Sequence, residues 1–371
     1  MLFDVRPKIS EEDLFNRERE LNMILEALRL GEGIILVTGI RRIGKSSVLN
    51  VALKKSNLPY VIIDVRKIFF EYGNVIHRRA LFNAIADSFT RNMKFFEKIK
   101  FKVKDVIGRI KGFYVSEVGV EVEPNINSKL TDILAAIDEW CLKNDFRFIV
   151  AFDEAQYLRF AGGVKYDGIF AWVADNLRNI SIIFTGSEIG VLRDFLKFDD
   201  PSAPLYGRYY REVVLNRFDR ETSIQFLKKG FEELRMEVDG EELEEVVDKL
   251  DGIVGWLTFY GYCRGIQGLS HRRALNETFE KCSRLVLEEL QKIIEPSRRR
   301  YGAILKAVSL GYTKWSDIKD YVTIKVGSIT DRRFSMLLNK LVKYSYLIKE
   351  NGRYEIPDPI VKYVLREKFQ I

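Results

Sequence analysis

Five short apolar runs recur through the first 215 residues, at Ile34–Thr38, Tyr60–Val65, Phe146–Phe152, Ile180–Phe184 and Arg211–Leu215. The runs are mostly apolar, broken singly at Asp64, Arg147 and Ser181 and opened by Arg211-Glu212 in the last, and all are too short for a typical helix. That is the signature of strands buried on both faces of a parallel sheet. Between them the apolar positions follow a helical period. Leu21, Ile24, Leu25 and Leu28 share one face, as do Val48, Leu49, Val51, Ala52 and Leu53. The same holds for Leu81, Ile85, Ala86 and Phe89, and for Leu130, Ile133, Leu134, Ile137 and Trp140. Ser10 and the acids after it predict a capped helix start, with the first helix over 10–29. Strands alternating with helices predict an α/β fold built on a parallel sheet.

Residues 98–124 break this rhythm. Lys98, Lys100, Lys102 and Lys104 alternate with Ile99, Phe101 and Val103, and Gly112–Val122 alternates as a hairpin would. We expect an insertion in the domain, read as a solvated surface hairpin in preference to a nucleic-acid contact. From Asp219 onward the strands stop, and helices are predicted over 220–234, 240–250, 255–267 and 271–293. They read as a small helical lid. Pro296–Arg300 reads as a charged linker. Helices follow over 301–309, 315–321 and 328–344, then a hairpin over 346–356 with an Asn351-Gly352 turn. Three helices and a two-stranded wing predict a winged helix-turn-helix. The expected domains are a core over 1–218 carrying the 98–124 insertion, a lid over 219–295 and a winged helix over 296–371.

The chemistry lies at the ends of the strands. After the first strand comes Gly39-Ile40-Arg41-Arg42-Ile43-Gly44-Lys45-Ser46, followed by Ser47 and an amphipathic helix. This is the phosphate-loop pattern in the context that gives it meaning. The glycines let backbone N–H groups approach phosphate oxygens, and the helix start favours anions. Lys45 would reach the β- and γ-phosphates, and Ser46 would ligate Mg²⁺. The strand at 146–152 ends in Asp153-Glu154. In a parallel sheet that end faces the phosphate loop, so Asp153 would hold Mg²⁺ through water and Glu154 would polarise the attacking water. Thr185 and Ser187 end the next strand and could reach the γ-phosphate or that water. Arg208 sits in a loop before the fifth strand and is a candidate cation for the transition state. Arg41 and Arg42 either help to hold phosphates or face solvent.

Composition narrows the setting. The chain of 371 residues is 47% hydrophobic and 30% charged, with no apolar run approaching a membrane span and no apolar signal core at its start, so a cytoplasmic protein is expected. Cys141, Cys263 and Cys282 are scattered and read as reduced thiols. With only His77 and His271, a histidine metal cluster is excluded. The net charge of +7 is uneven, because residues 298–371 alone carry sixteen Lys/Arg against seven Asp/Glu. The basic tail suggests an anionic partner, with DNA the leading candidate and protein docking the other.

With these motifs in line, the chain resembles the archaeal ATPases of the AAA+ superfamily, and more narrowly the STAND-class group with a C-terminal winged helix. The resemblance implies ATP or ADP with Mg²⁺ as ligands and a slow ATPase acting as a nucleotide-controlled switch, with oligomerisation possible. Phe15 to Leu21, including Arg17, resembles the family's opening helix, whose start lies near adenine. Ser187 matches the polar sensor position. Tyr206-Gly207-Arg208 resembles the family's Tyr-Gly-Arg segment, whose arginine would act within its own subunit or on a neighbour. Gly252–Leu257 resembles the Gly-x-Pro-Gly-Trp-Leu turn of the lid, with Val254 in place of the proline that touches the base. The implied sheet order is 5-1-4-3-2. Two competing readings are a P-loop kinase acting on a small molecule and a non-hydrolysing nucleotide-binding scaffold.

Overall fold

The five apolar runs form one parallel sheet. A computed structural model describes residues 1–124 and 126–370. Its core strands are β1 (Ile34–Thr38), β2 (Tyr60–Asp64), β3 (Phe148–Asp153), β4 (Ile180–Gly186) and β5 (Arg211–Val214). They lie in the order β2-β3-β4-β1-β5, all parallel, which is the expected 5-1-4-3-2. Successive side chains go to opposite faces. Leu36, Phe152 and Phe184 pack under helices Arg78–Arg91, Leu130–Asn144 and Tyr166–Asn176. Val37, Ala151 and Ile183 pack under helices Glu18–Leu30 and Lys45–Lys55. Covering both faces explains why the strands carry no polar stripe. Each large side chain so buried contributes about 1.5–3 kcal/mol.

Register places the chemistry. Phe152 of β3 lies opposite Phe184 of β4, and Thr38 of β1 lies opposite Gly186 of β4. Asp153, Thr185, Ser187 and Gly39 therefore emerge together at the carboxyl edge of the sheet, where open α/β sheets bind ligands.

Several local expectations change. The first helix begins at Glu18, not near Ser10, because Asn16 takes a left-handed conformation (φ 48°) and residues 11–13 form only a short 3-10 turn. An unexpected helix, Val65–Glu71, follows β2 directly. Asp64 caps it, accepting from the Lys67 N–H at 2.9 Å. In the 98–124 insertion the alternating lysines are not a strand. Lys100 (φ 59°) reverses the chain between helices Met93–Lys98 and Val103–Ile107. The hairpin Phe113–Val115 with Val120–Val122 does form. It is not simply solvated, for Phe113 and Val120 join the main core and the Val120 N–H donates to Thr90 Oγ1 at 2.8 Å.

After Asp219 come helices Arg220–Glu233, Gly240–Leu250, Val254–Gly261 and His271–Ile294. The winged helix follows as Arg298–Ser309, Trp315–Val326 and Asp331–Lys343, then strands Ile348–Glu350 and Arg353–Glu355. Asn351 and Gly352 both have positive φ, as a two-residue hairpin turn of the primed type requires. Residues 296–300 are helical rather than an extended linker. A short helix, Pro359–Tyr363, lies beyond the wing and was not expected. The helical layer and the winged helix share one buried cluster, running from Phe226 and Trp256 through Val286 and Leu290 to Phe334, Leu341 and Val361. Leu2 and Phe3 belong to the same cluster, and a Cβ on Gly230 or Gly261 would come within 2.3 Å of the Phe3 ring.

Candidate nucleotide site

The phosphate loop is shaped by contacts that glycine alone tolerates. Gly44 has φ 95°, and a Cβ on Gly39 would lie 2.6 Å from the Leu215 carbonyl oxygen. Ile43 is fully buried and anchors the loop from below. Lys45 Nζ bridges the loop, donating to the carbonyls of Gly39 and Ile40 at 2.9 Å each. Ser46 Oγ donates to Asp153 Oδ2 at 3.0 Å, and Ser47 Oγ accepts from the Lys8 N–H at 3.0 Å. The loop opens into a cavity of about 530 Å³, whose lining includes Lys8, Phe15, Arg66, Glu154, Val254 and Phe259.

The two carboxylates are held differently. Asp153 accepts from Ser46 and from Thr185 Oγ1. Burial and the neighbouring Glu154 push its carboxyl above the usual range. Glu154 sits in the left-handed region (φ 54°), and its N–H donates to Thr185 Oγ1 at 3.0 Å. Its Oε2 accepts from Gln156 Nε2 at 2.5 Å, Ser187 Oγ at 2.7 Å and the Ser187 N–H at 3.3 Å. Burial alone would raise it, but Lys45, these hydrogen bonds and Arg41 outweigh burial and hold it at about 2. Burial also lowers Lys45, against the pull of Glu154 and Asp153. The donor set suits a Mg²⁺-nucleotide: a glycine cradle, a lysine, and a hydroxyl backed by a carboxylate that offer the oxygen ligands this ion takes.

Arg41 and Arg42 do not simply face solvent: both line the cavity, and their side chains are engaged with other parts of the chain. Arg41 bonds Glu188 Oε1 and Glu289 Oε2, both at 2.9 Å, and lies over the Tyr346 ring at 5.7 Å. Arg42 donates to both Glu289 oxygens at 3.2 and 3.1 Å and lies over Trp256 at 4.4 Å. Glu289 belongs to helix His271–Ile294, and Tyr346 opens the wing. Trp256 in turn donates from Nε1 to Asp358 Oδ1 at 3.0 Å, and the Gly255 N–H donates to the Arg42 carbonyl at 2.9 Å. The middle of the phosphate loop is thus bonded to both the helical layer and the winged helix.

Other singled-out residues divide. Phe15 and Val254 line the cavity, and Val254 Cγ1 would lie 3.5 Å from a Cβ on Gly44. Arg17 also borders it, but its guanidinium is committed to Glu20, to the carbonyls of Ile43 and Asn216, and to the Phe218 ring. It acts as a strut behind the loop. Arg208 is not in the lining. It forms a forked pair with Asp175, 2.9 Å and 2.5 Å, on the outer surface. Sequence reading missed Gln156, Glu188, Glu289, Lys8 and Arg66. Arg66 was findable, since it follows the carboxyl end of β2 directly. The glutamates carried no local signal.

A five-stranded parallel sheet with a phosphate loop, an Asp-Glu pair and a polar strand end at one edge defines a P-loop ATPase, here joined to a winged helix. Residues 14–258 match the ATPase domain found predominantly in Archaea, and the chain belongs to that family; it is an ATPase. Residues 295–356 match the C-terminal winged helix-turn-helix domain of MCM proteins. The Walker-type ATPase PABY2304 of Pyrococcus abyssi is 38% identical, with a TM-score of 0.88 over 98% of this chain and 99% of that one. The ORC2 protein of Aeropyrum pernix, in its ADPNP-ADP complexes, is 13% identical, with a TM-score of 0.59 over 98% and 96%, a likeness of fold. None of the curated proteins compared matches the chain.

Proposed function

We propose that this ATPase is a Mg²⁺-dependent switch in which the bound nucleotide controls how the helical layer, acting as a lid, and the winged helix dock on the phosphate loop. One observation carries the reading. Arg41 and Arg42 stand inside the loop, yet their side chains hold Glu289, Trp256 and Tyr346. Filling the loop with phosphate changes the surroundings of those arginines first.

In this reading Lys45 binds the β- and γ-phosphates, while Ser46 and Asp153 hold Mg²⁺. When bound, the ion neutralises charge on the phosphate oxygens. Ser187 lies beside the γ-phosphate. Glu154 uses Oε1 to orient water, since all three of its side-chain hydrogen bonds fall on Oε2. Arg66 is the in-chain cation, while Arg208 serves a neighbouring subunit. The winged helix is the partner-binding module, and its exposed Arg332, Arg333 and Lys343 favour nucleic acid.

The test is ATP turnover beside ATP binding in Glu154→Gln. Binding retained with hydrolysis lost is expected. Normal hydrolysis would remove Glu154 from its role.

A further inference from the structure

The recognition helix Asp331–Lys343 has one stripe of outward positions, Arg332, Ser335, Met336, Asn339, Lys340 and Lys343. Their spacing of three and four is that of a single helix face. It is the face a winged helix would offer to a major groove. Here it lines one wall of a cleft of about 990 Å³. The opposite wall belongs to the ATPase core, from the 158–167 loop and helix Ile189–Leu196.

The cleft is closed at one end. Lys343 pairs with Asp194 at 2.6 Å, the Ile189 N–H donates to Ser345 Oγ at 3.2 Å, and a Cβ on Gly190 would lie 2.7 Å from Lys343 Cα. A duplex must surround the recognition helix with both lips of its groove, about 12 Å apart. The core wall stands where one lip would pass. A single strand needs no such clearance.

The charges of the cleft point the same way. Arg159 pairs with Glu188 and Lys343 with Asp194. Lys165 and Lys197 on the core wall, and Arg332 and Lys340 on the helix wall, carry no ion pair among the described residues. The cleft's acids are Asp167 and Asp194, and Lys343 already takes Asp194. Between the cations lie Phe195 and Tyr344, both partly exposed, and Met336. A positive groove interleaved with aromatic faces is the usual platform for unpaired bases.

We infer that this cleft binds single-stranded nucleic acid, with the ATPase core supplying half of the contact. The inference rests on the reading of the winged helix as a nucleic-acid module and adds the partner's strandedness and the second wall.

The test uses the full chain, a labelled 12-nucleotide oligo-dT and a blunt 24-base-pair duplex, in fluorescence anisotropy over a salt series. Tighter binding of the single strand is expected. Its log-log salt slope should be near −3, from about 0.7 per phosphate met by four cations. Lys165→Glu with Lys197→Glu, and separately Arg332→Glu, should each weaken single-strand binding at least tenfold. ATP turnover without nucleic acid and the melting curve of the Lys165/Lys197 variant should stay as in wild type, which shows the fold intact. If duplex binds better and depends on Arg332 but not on Lys165 and Lys197, the cleft assignment fails while the winged helix keeps its role. If neither nucleic acid binds at low salt, both fail and protein docking takes their place.

Discussion

Glu289 binds Arg41 and Arg42 together, at 2.9 and 3.1 Å, tying the centre of the phosphate loop to the long helix His271–Ile294. Glu289 keeps some solvent exposure, so the pairs are screened in part, but its removal leaves Arg42 without a carboxylate partner and Arg41 with Glu188 alone. Glu289→Ala should therefore destabilise the chain by about 1.5–3 kcal/mol, the range for hydrogen bonds to charged groups. Thermal unfolding in low and high salt checks this. Limited proteolysis should cut between the core and the winged helix sooner than in wild type. A variant with unchanged melting and cleavage would show that the pair holds nothing.

Ser187→Ala removes the 2.7 Å hydrogen bond to Glu154 and leaves Gln156 as its remaining side-chain donor. The hydrogen bonds lower the Glu154 pKa, so losing one raises it and frees the side chain. We expect kcat to fall about 10- to 100-fold, below the full contribution of a general base, with ATP affinity within a few-fold of wild type. Steady-state kinetics and equilibrium titration separate the two effects.

Asp153 gives the pH dependence. Its folded pKa is raised, by burial first and then by Glu154. A raised carboxyl favours its protonated form, so without metal its contribution to stability is present below the unfolded value and lost as pH rises through the folded one. Mg²⁺ needs the carboxylate, so metal and proton compete. The Mg²⁺ concentration for half-maximal hydrolysis should fall as pH rises and level off above the raised pKa. Glu154, held at about 2, stays ionised throughout. A Mg²⁺ requirement independent of pH from the ordinary aspartate range upward would contradict this account of Asp153.

Arg66 and Arg208 make opposite predictions. Arg66 lines the cavity, whereas Arg208 is paired with Asp175 outside it. In dilute protein Arg66→Ala should lower kcat about tenfold or more, and Arg208→Ala should leave it unchanged. An effect of Arg208→Ala that grows with protein concentration would reveal action between subunits. If Arg66→Ala turns over ATP normally, the in-chain cation lies elsewhere.

Phe3 tests the shared core. Its ring sits against Gly230 and Gly261 and makes edge contacts with Phe226 and Phe231, at 5.9 and 4.9 Å between centroids. Phe3→Ala should cost about 3–5 kcal/mol, as for other buried aromatics. Nucleotide affinity should fall with it, because Lys8 nearby reaches the phosphate-loop helix through Ser47. Denaturant unfolding and nucleotide titration measure both.

What could be read from the chain was local. The central strands announce themselves because burial on both faces leaves few polar positions, whereas the edge strand β5 opens with Arg211-Glu212. The phosphate loop announces itself because its backbone demands glycine at fixed spacing. Asp153-Glu154 and Ser187 follow from where such strands end. The partners of Arg41 and Arg42 do not follow. Glu289 lies 247 residues from Arg42, on a helix with other exposed glutamates, and periodicity cannot say which of them meets the loop. The alternating lysines at 98–104 misled for a related reason. A left-handed turn at Lys100 joins two helices there, and two-residue alternation resembles that as well as a strand. Arg208 fitted a motif, but it sits in a loop while its partner Asp175 lies on helix Tyr166–Asn176, and only tertiary structure brings the two together.

The central claim is that nucleotide in the phosphate loop is felt by the winged helix. Hydrogen exchange across residues 271–368 measures it most directly, comparing Glu154→Gln with ATP and Mg²⁺, the same protein with ADP, and the protein with no nucleotide. The account predicts that protection around Glu289, Tyr346 and the Pro359–Tyr363 helix differs between ATP and ADP, and that Arg41→Ala with Arg42→Ala abolishes the difference while ATP still binds. Identical exchange of these segments in all three states, with ATP shown to be bound, would contradict it.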